Sequence, residues 1–382
     1  MAFPHSASDR PTGSGTLLKI LAALAVLYLF LVGIGAMGAA FKHMGKGFSE
    51  NLLGVGTATG PLISLFVGIL ATTLVQSSST TTSLVVGLVA ADALPFEAAI
   101  YMVMGANVGT TVTNTIVSLG HITRSEEYRR AFAAATVHDF FNLLVLLVMF
   151  PLEVATGFLT TISDVATDAF KDVGGLYLSS PIGFVTGPGI DALEWITLGN
   201  DAALAIVGVG MTFAGLFLLV RVLKALMIER LENLFDRTVF RNAPIALFFG
   251  LLLTVVVQSS SITTSLVVPL CGAGVLTLRQ VFPYTMGANI GTTFTAVLAS
   301  LAAYAAVQGS EEMVRAEAGL RLAFHHVMFN VIGVFLLWWV RGIPIAIAEG
   351  FARLAMRNRT IPIVYIVLTF YILPFLVVWL GR

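Results

Sequence analysis

Apolar stretches about 20 residues long recur along this chain at 17–40, 131–150, 201–220, 319–340 and 361–380. Each has the length and character of a helix that crosses a bilayer. Two further regions, 60–120 and 244–306, are apolar but studded with Ser, Thr, Asn and Gly. They are too long for one crossing helix and too interrupted for two ordinary ones, so each predicts a partial insertion plus one crossing. The first stretch follows Arg10 and Lys19 and ends on Gly38, Ala39 and Ala40. Small residues also end a signal peptide, but the apolar length favours an uncleaved first helix.

The two interrupted regions repeat each other. At an offset of 182 residues, Gln76-Ser77-Ser78-Ser79-Thr80-Thr81-Thr82-Ser83-Leu84-Val85-Val86-Gly87-Leu88 meets a second run from Gln258 to Leu270, identical at 11 of 13 positions. The same offset aligns Met104-Gly105-Ala106-Asn107-Val108-Gly109-Thr110-Thr111 with Met286-Gly287-Ala288-Asn289-Ile290-Gly291-Thr292-Thr293, seven of eight identical. A third pair, His138-x-x-Phe141-Asn142 and His326-x-x-Phe329-Asn330, stands at an offset of 188. Small polar residues also glue membrane helices together, but that explains scattered serines and not one run written twice.

Composition fixes the solvent. Hydrophobic residues make up 57% and charged residues 11%, against roughly a quarter charged in soluble proteins; mean hydropathy is +0.92. Lys+Arg 21 balances Asp+Glu 21, which argues against a nucleic-acid partner. One cysteine, Cys271, excludes a disulfide scaffold and a Cys-rich metal site. Basic residues also orient the chain. Arg124, Arg129 and Arg130, then Arg221, Lys224, Arg230, Arg237 and Arg241, then Arg341, Arg353, Arg357 and Arg359 mark cytoplasmic segments, whereas 151–200 holds six acids and a single Lys171. The N-terminus is placed inside and 151–200 outside, with seven crossings. The helix leading into the first repeat then starts inside and that leading into the second starts outside. The repeats are therefore inverted, a pattern of secondary transporters with a midplane site.

The predicted fold is an all-α polytopic membrane protein of two inverted repeats, each with a re-entrant hairpin and a broken transmembrane helix. The parts are an N-terminal segment and first helix (1–50), repeat 1 (51–150), an extracytoplasmic loop (151–200), a connecting helix and cytoplasmic loop (201–242), repeat 2 (243–340) and C-terminal helices (341–382). Residues 60–75 make a helix of about 24 Å, too short to span, so Gln76, Ser77, Ser78 and Ser79 fall at a hairpin tip. Gln258, Ser259, Ser260 and Ser261 fall at the second. Backbone N–H groups and serine hydroxyls at a helix N-terminus form an anion site. The break is expected at Gly105–Gly109, where glycine permits unwound backbone. The amide and hydroxyl oxygens of Asn107, Thr110, Thr111, Asn142, Asn289, Thr292, Thr293 and Asn330 suit a hard cation such as sodium, as oxygens suit hard divalent ions. His138 and His326 have an alternative as satisfied core histidines. A serine nucleophile would need an activating base, and no Gly-x-Ser-x-Gly elbow occurs in the sequence; His138 with Asp139 could offer a base, but adjacent residues point to different helix faces.

Between Asn51 and Gly120, and between Pro244 and Ala306, Arg279 is the single basic residue. An uncompensated buried anion is costly, so co-bound cations should supply the positive charge and couple the two fluxes.

These motifs, with Arg129-Arg130-Ala131-Phe132 and Val137-His138-Asp139-x-Phe141-Asn142, resemble the type II sodium–phosphate cotransporter family, including its bacterial members. The resemblance implies sodium-driven import of phosphate, both serine runs beside the substrate, and Gln258, Ser259, Thr292 and Asn142 among the contacts. It also implies a sodium role for Asp139, like the aspartate of electrogenic members. A divalent phosphate, one aspartate and three sodium ions carry zero net charge. The repeat-related position is Val327, so the acid breaks the symmetry; its alternative is a helix-end acid, solvated or paired with Arg130. No cofactor is implied beyond sodium as co-substrate. The compact 151–200 segment and minimal tails fit a bacterial inner membrane. The expected activity is electrogenic sodium-coupled phosphate uptake by elevator-like or rocking alternating access. The rivals are another oxyanion (sulfate or a dicarboxylate) and a passive anion channel. A dicarboxylate site is expected to use an arginine clamp, and a channel needs no sodium gradient.

Overall fold

The computed structural model describes residues 60–75, 77–119, 122, 125–173, 181–208, 239–257, 259–306 and 313–381, with single positions inside 21–40 and 210–218. The regular elements among them are helices. The first half runs α1 (Pro61–Val75), α2 (Ser78–Ala90), α3 (Phe96–Gly109), α4 (Val112–Ser118) and α5 (Ser125–Thr156), followed by α6 (Phe158–Val173) and α7 (Pro181–Ile196). The second half runs α8 (Ala243–Val257), α9 (Ser260–Gly272), α10 (Leu278–Ala306) and α11 (Met313–Trp338). Then come α12 (Gly342–Arg357) and a continuous helix made of α13 (Ile361–Ile366), a π-helical stretch Val367–Ile372 and α14 (Leu373–Leu380). Described positions of the expected first span are helical, and Ala36 and Ala40 pack with Leu204 and Ala205.

Among the described residues, Ser125–Thr156, Met313–Trp338 and Ile361–Leu380 are long and apolar enough to cross a membrane. By contrast α1 and α8 have 15 residues each and α2 and α9 have 13. At about 1.5 Å per residue they fall short of a hydrocarbon core about 30 Å thick. The polarity is inside-out relative to a water-soluble protein. Leu147, Ile206 and Phe335 are 71%, 72% and 65% exposed, while Thr73, Ser118, Asn107 and Asn142 are fully buried and hydrogen-bonded. With hydrocarbon outside, polar groups must find partners within. A central apolar cluster joins the halves, with Met104, Val108, Phe141 and Val145 from one and Phe282, Met286 and Phe329 from the other.

The expected unwinding at Gly105–Gly109 is corrected. α3 stays helical through Gly109, the interruption falls at Thr110-Thr111, and α10 runs through Gly287–Gly291 without one. These glycines serve close approach instead. A Cβ on Gly105 would stand 2.0 Å from the Leu65 carbonyl oxygen, and one on Gly68 2.0 Å from that of Met102. At the 182-residue offset, Gly287 would meet Leu247 O at 1.8 Å and Gly250 would meet Tyr284 O at 2.1 Å. Backbone touches backbone between α1 and α3, and again between α8 and α10. This is the small-residue packing that membrane helices use, and its duplication is the repeat seen in three dimensions.

The 151–200 segment is also not the plain loop expected. Most of it is helical, in α6 and α7. Glu153 starts α6 by accepting from the backbone N–H of Leu159 at 2.6 Å and from the Thr160 hydroxyl. Gly157, at φ +62, turns the chain between α5 and α6 in a conformation that favours glycine. Asp164 of α6 then pairs with Arg321 of α11 at 3.4 Å. The acids counted as loop charges are in part the tether of a packed helix.

Candidate functional site

The two serine runs open α2 and α9. Ser77 is the N-cap of α2: its hydroxyl accepts from the Thr80 N–H at 3.2 Å, the usual task of serine in that position. Ser78, one residue inside, takes the Thr110 hydroxyl on its Oγ at 2.8 Å and donates its backbone N–H to Thr110 Oγ1 at 3.3 Å. From the other half, the Ser261 hydroxyl donates to the Thr110 carbonyl at 3.4 Å. Thr110, in the interruption between α3 and α4, therefore touches both runs. Ser79 and Ser260 are buried beside them, and the Ser259 carbonyl accepts from the Thr263 hydroxyl at 3.1 Å. Gln76 and Gln258 lie outside the described residues.

One turn away the asparagines and histidines of both halves form a single cluster. Asn289 donates through Nδ2 to Asn142 Oδ1 and to Asn330 Oδ1, both at 2.8 Å, and its Oδ1 lies 3.1 Å from His138 Nε2. Asn107 Oδ1 meets His326 Nε2 and Asn330 Nδ2, both at 3.2 Å, and the Asn107 carbonyl accepts from Asn142 Nδ2 at 2.8 Å. The pattern is reciprocal, since the motif asparagine of each repeat meets the histidine of the other. All six side chains are buried, so each bond is made where an unmade one is costly. The amides largely satisfy one another in this conformation.

Thr111 and Thr293 turn their hydroxyls back to the carbonyls of Val108 and Ile290, at 2.9 and 2.7 Å. Thr292 differs from its counterpart Thr110: its hydroxyl is buried with no hydrogen-bond partner. Asp139 is fully buried, and its Oδ2 accepts from Thr115 at 3.4 Å and Tyr365 at 3.2 Å. Pairing of Asp139 with Arg130 is not what the geometry shows. Arg130 instead donates to the carbonyls of Cys271 and Gly272 at the end of α9, with Nη2 2.7 Å from Gly272 O.

Sequence reasoning missed Asn114, Thr115 and Tyr365. Asn114 binds α9, donating to Thr264 Oγ1 at 2.8 Å and accepting from Ser265 at 2.8 Å. A comparison of the halves position by position finds Asn114 and Thr115, because their counterparts are Ala296 and Val297. Tyr365 carries no such signal, lying beyond both repeats.

Fold and site together describe a helical membrane protein of two related halves around a buried polar centre. The Na+/Pi-cotransporter family model matches residues 29–171 and 211–356, one segment in each half. The chain belongs to that family, a family of transporters and not of enzymes, and is a multi-pass membrane protein. It is 32% identical to the sodium-dependent phosphate transport protein 2A of Rattus norvegicus, over 94% of this chain and 67% of that one. It is 29% identical to the 2B protein of Homo sapiens, over 95% of this chain and 65% of that one. The chain thus spans about two thirds of the length of these relatives. No solved structure matches it.

Proposed function

We propose that this protein imports inorganic phosphate by coupling it to sodium, electrogenically, with alternating access to one site between two inverted repeats. Family membership supports the class of activity, and the names of the rat and human relatives support phosphate and sodium as the pair. The observation that carries the site is Thr110, bonded to Ser78 of one run and Ser261 of the other. Two helix N-termini thereby face one point, and helix N-termini favour anions. The paired short helices α1/α2 and α8/α9 read as re-entrant hairpins with those N-termini at their tips. The clusters of arginine at 124–130, 221–241 and 341–359 favour a cytoplasmic side for those segments.

The motif regions supply no basic side chain apart from Arg279, so sodium provides the charge that phosphate needs. Thr292, with its unpartnered buried hydroxyl, and Asp139 are the strongest sodium contacts. Asn107, Asn142, Asn289 and Asn330 enter this reading as the lock between halves, which a cation would have to open before using their oxygens. The test is radiolabelled phosphate uptake by Ser78→Ala and Ser260→Ala proteins in liposomes. Both should lose uptake while remaining folded. Normal transport by either variant refutes the shared site.

A further inference from the structure

The two serine runs have nearly the same sequence but unlike seats. Residues 78–84 and 260–266 are identical at six of seven positions. Four tethers hold the second run and its helix α9. The Asn114 amide binds Thr264 and Ser265, both at 2.8 Å, and the Tyr284 hydroxyl donates to the Thr263 carbonyl at 2.9 Å. The Thr254 hydroxyl of α8 meets that of Thr263 at 2.8 Å, which joins the two arms of the helix pair. Arg130 binds the carbonyls that end α9, with Nη2 2.7 Å from Gly272 O.

Among the described residues, the first run lacks all four. At the 182-residue offset Ala296 stands for Asn114 and Met102 for Tyr284, and at the 188-residue offset Ala318 stands for Arg130. Thr72 keeps the hydroxyl of Thr254, yet it is buried with no hydrogen-bond partner. Thr82 and Ser83, the counterparts of Thr264 and Ser265, are likewise buried without partners. They do not bond back to their own helix, which is the usual recourse of such hydroxyls. Among the described residues, the side chains of 78–83 reach another element by hydrogen bond only at Ser78, through Thr110. At the far end of α2, Asp92 and Arg315 approach to 3.7 Å, both well exposed, which is a weak tie. A buried hydroxyl without a partner is costly, so α2 gains when it shifts to a seat that satisfies these groups. By moving, α9 would lose the bonds of four residues.

We propose that Asn114, Tyr284, Thr254 and Arg130 are positioning residues that make the second serine run the fixed wall of the site, and that the first run is the wall that moves to close on the substrate. The release point is Thr110. Its hydroxyl donates to Ser78 Oγ, and an anion that takes the Ser78 hydroxyl and N–H for itself frees the first tip while α9 stays in place. A rigid wall opposite a movable one keeps half of the binding groups preorganised and gives alternating access its moving part. This deepens the proposed function, on which it rests for phosphate and sodium as the ligands.

The test is hydrogen exchange by the purified full chain in detergent micelles, read on the segments 78–84 and 260–266. Their near-identity gives them nearly the same intrinsic exchange rate, so a difference reports local opening. Without ligand, 78–84 should exchange about tenfold faster or more. Equal rates, or a faster second run, overturn the proposal. Sodium with inorganic phosphate should slow 78–84 and leave 260–266 nearly unchanged. Equal slowing of both runs overturns the moving first wall and leaves the proposed function standing. No slowing of either, with the ligand-free difference present, supports the fixed wall and counts against the proposed function. Tyr284→Phe removes one hydroxyl and keeps the shape. It should speed exchange at 260–266 about threefold or more, and not at 78–84. In liposomes it should raise the phosphate concentration for half-maximal uptake about threefold or more and keep the maximal rate within about twofold. A lowered maximal rate with unchanged half-saturation makes Tyr284 a merely structural residue and overturns its assignment. Should Tyr284→Phe fail to fold, Thr254→Val decides by the same readings.

Discussion

Replacing Asn289 with alanine should be among the most damaging single changes in this protein. The side chain is 1% exposed and serves three groups at once: His138 Nε2 at 3.1 Å and the Oδ1 atoms of Asn142 and Asn330 at 2.8 Å. The two acceptors lose the donor that faces them, and His138 loses its partner at Nε2. A buried polar group stripped of its partner costs about 1–3 kcal/mol. With three groups affected and some relaxation, the loss should be about 3 kcal/mol or more. Asn358, exposed and bonded locally to Thr360, is the control, and Asn358→Ala should cost less than about 1 kcal/mol. The assay is reversible unfolding in mixed micelles followed through the four tryptophans. A cycle with Asn142→Ala adds a sharper reading. The two single changes break a shared bond, so their effects should fail to add by about 0.5 kcal/mol or more. A loss at Asn289 no larger than at Asn358, or strict additivity, refutes the idea that this cluster locks the halves.

Gly287→Ala places a methyl 1.8 Å from the Leu247 carbonyl oxygen, whereas Gly342→Ala meets nothing within 4 Å. The first should destabilise by about 1–3 kcal/mol or more and the second hardly at all, as thermal unfolding in detergent will show. Arg130→Ala removes the guanidinium that caps the carbonyls ending α9. It should cost about 1–2 kcal/mol and raise hydrogen exchange at 268–272 more than elsewhere. Asp139→Gly should make divalent phosphate uptake electroneutral without stopping it, read as charge moved per phosphate at a clamped potential. An unchanged ratio with uptake retained returns Asp139 to a structural role.

The repeat was legible because two motifs share one offset; that Thr110 bonds Ser78 of the first run and Ser261 of the second is visible only in the structure. The helix break was misplaced for a physical reason. Glycine relieves backbone restriction and also admits close backbone approach, and sequence alone does not say which is used. The pairing of Gly68 with Gly105, repeated as Gly250 with Gly287, shows the second use. Residues 158–173 were read by their charge as loop, although Leu159, Ser163 and Thr167 form a buried stripe on α6. The asparagines were recognised as chemically important, but their mutual bonding across 147 residues and more is tertiary information. Tyr365, 226 residues from Asp139, has no local pattern to announce it.

The central claim is that phosphate enters because sodium supplies the charge that its site lacks. Phosphate uptake into liposomes holding the purified protein, measured under an inward sodium gradient and again with choline replacing sodium, tests it most directly. The account predicts concentrative uptake that rises steeply with external sodium and falls to the level of protein-free liposomes in choline. Equal uptake in the two solutions would contradict it.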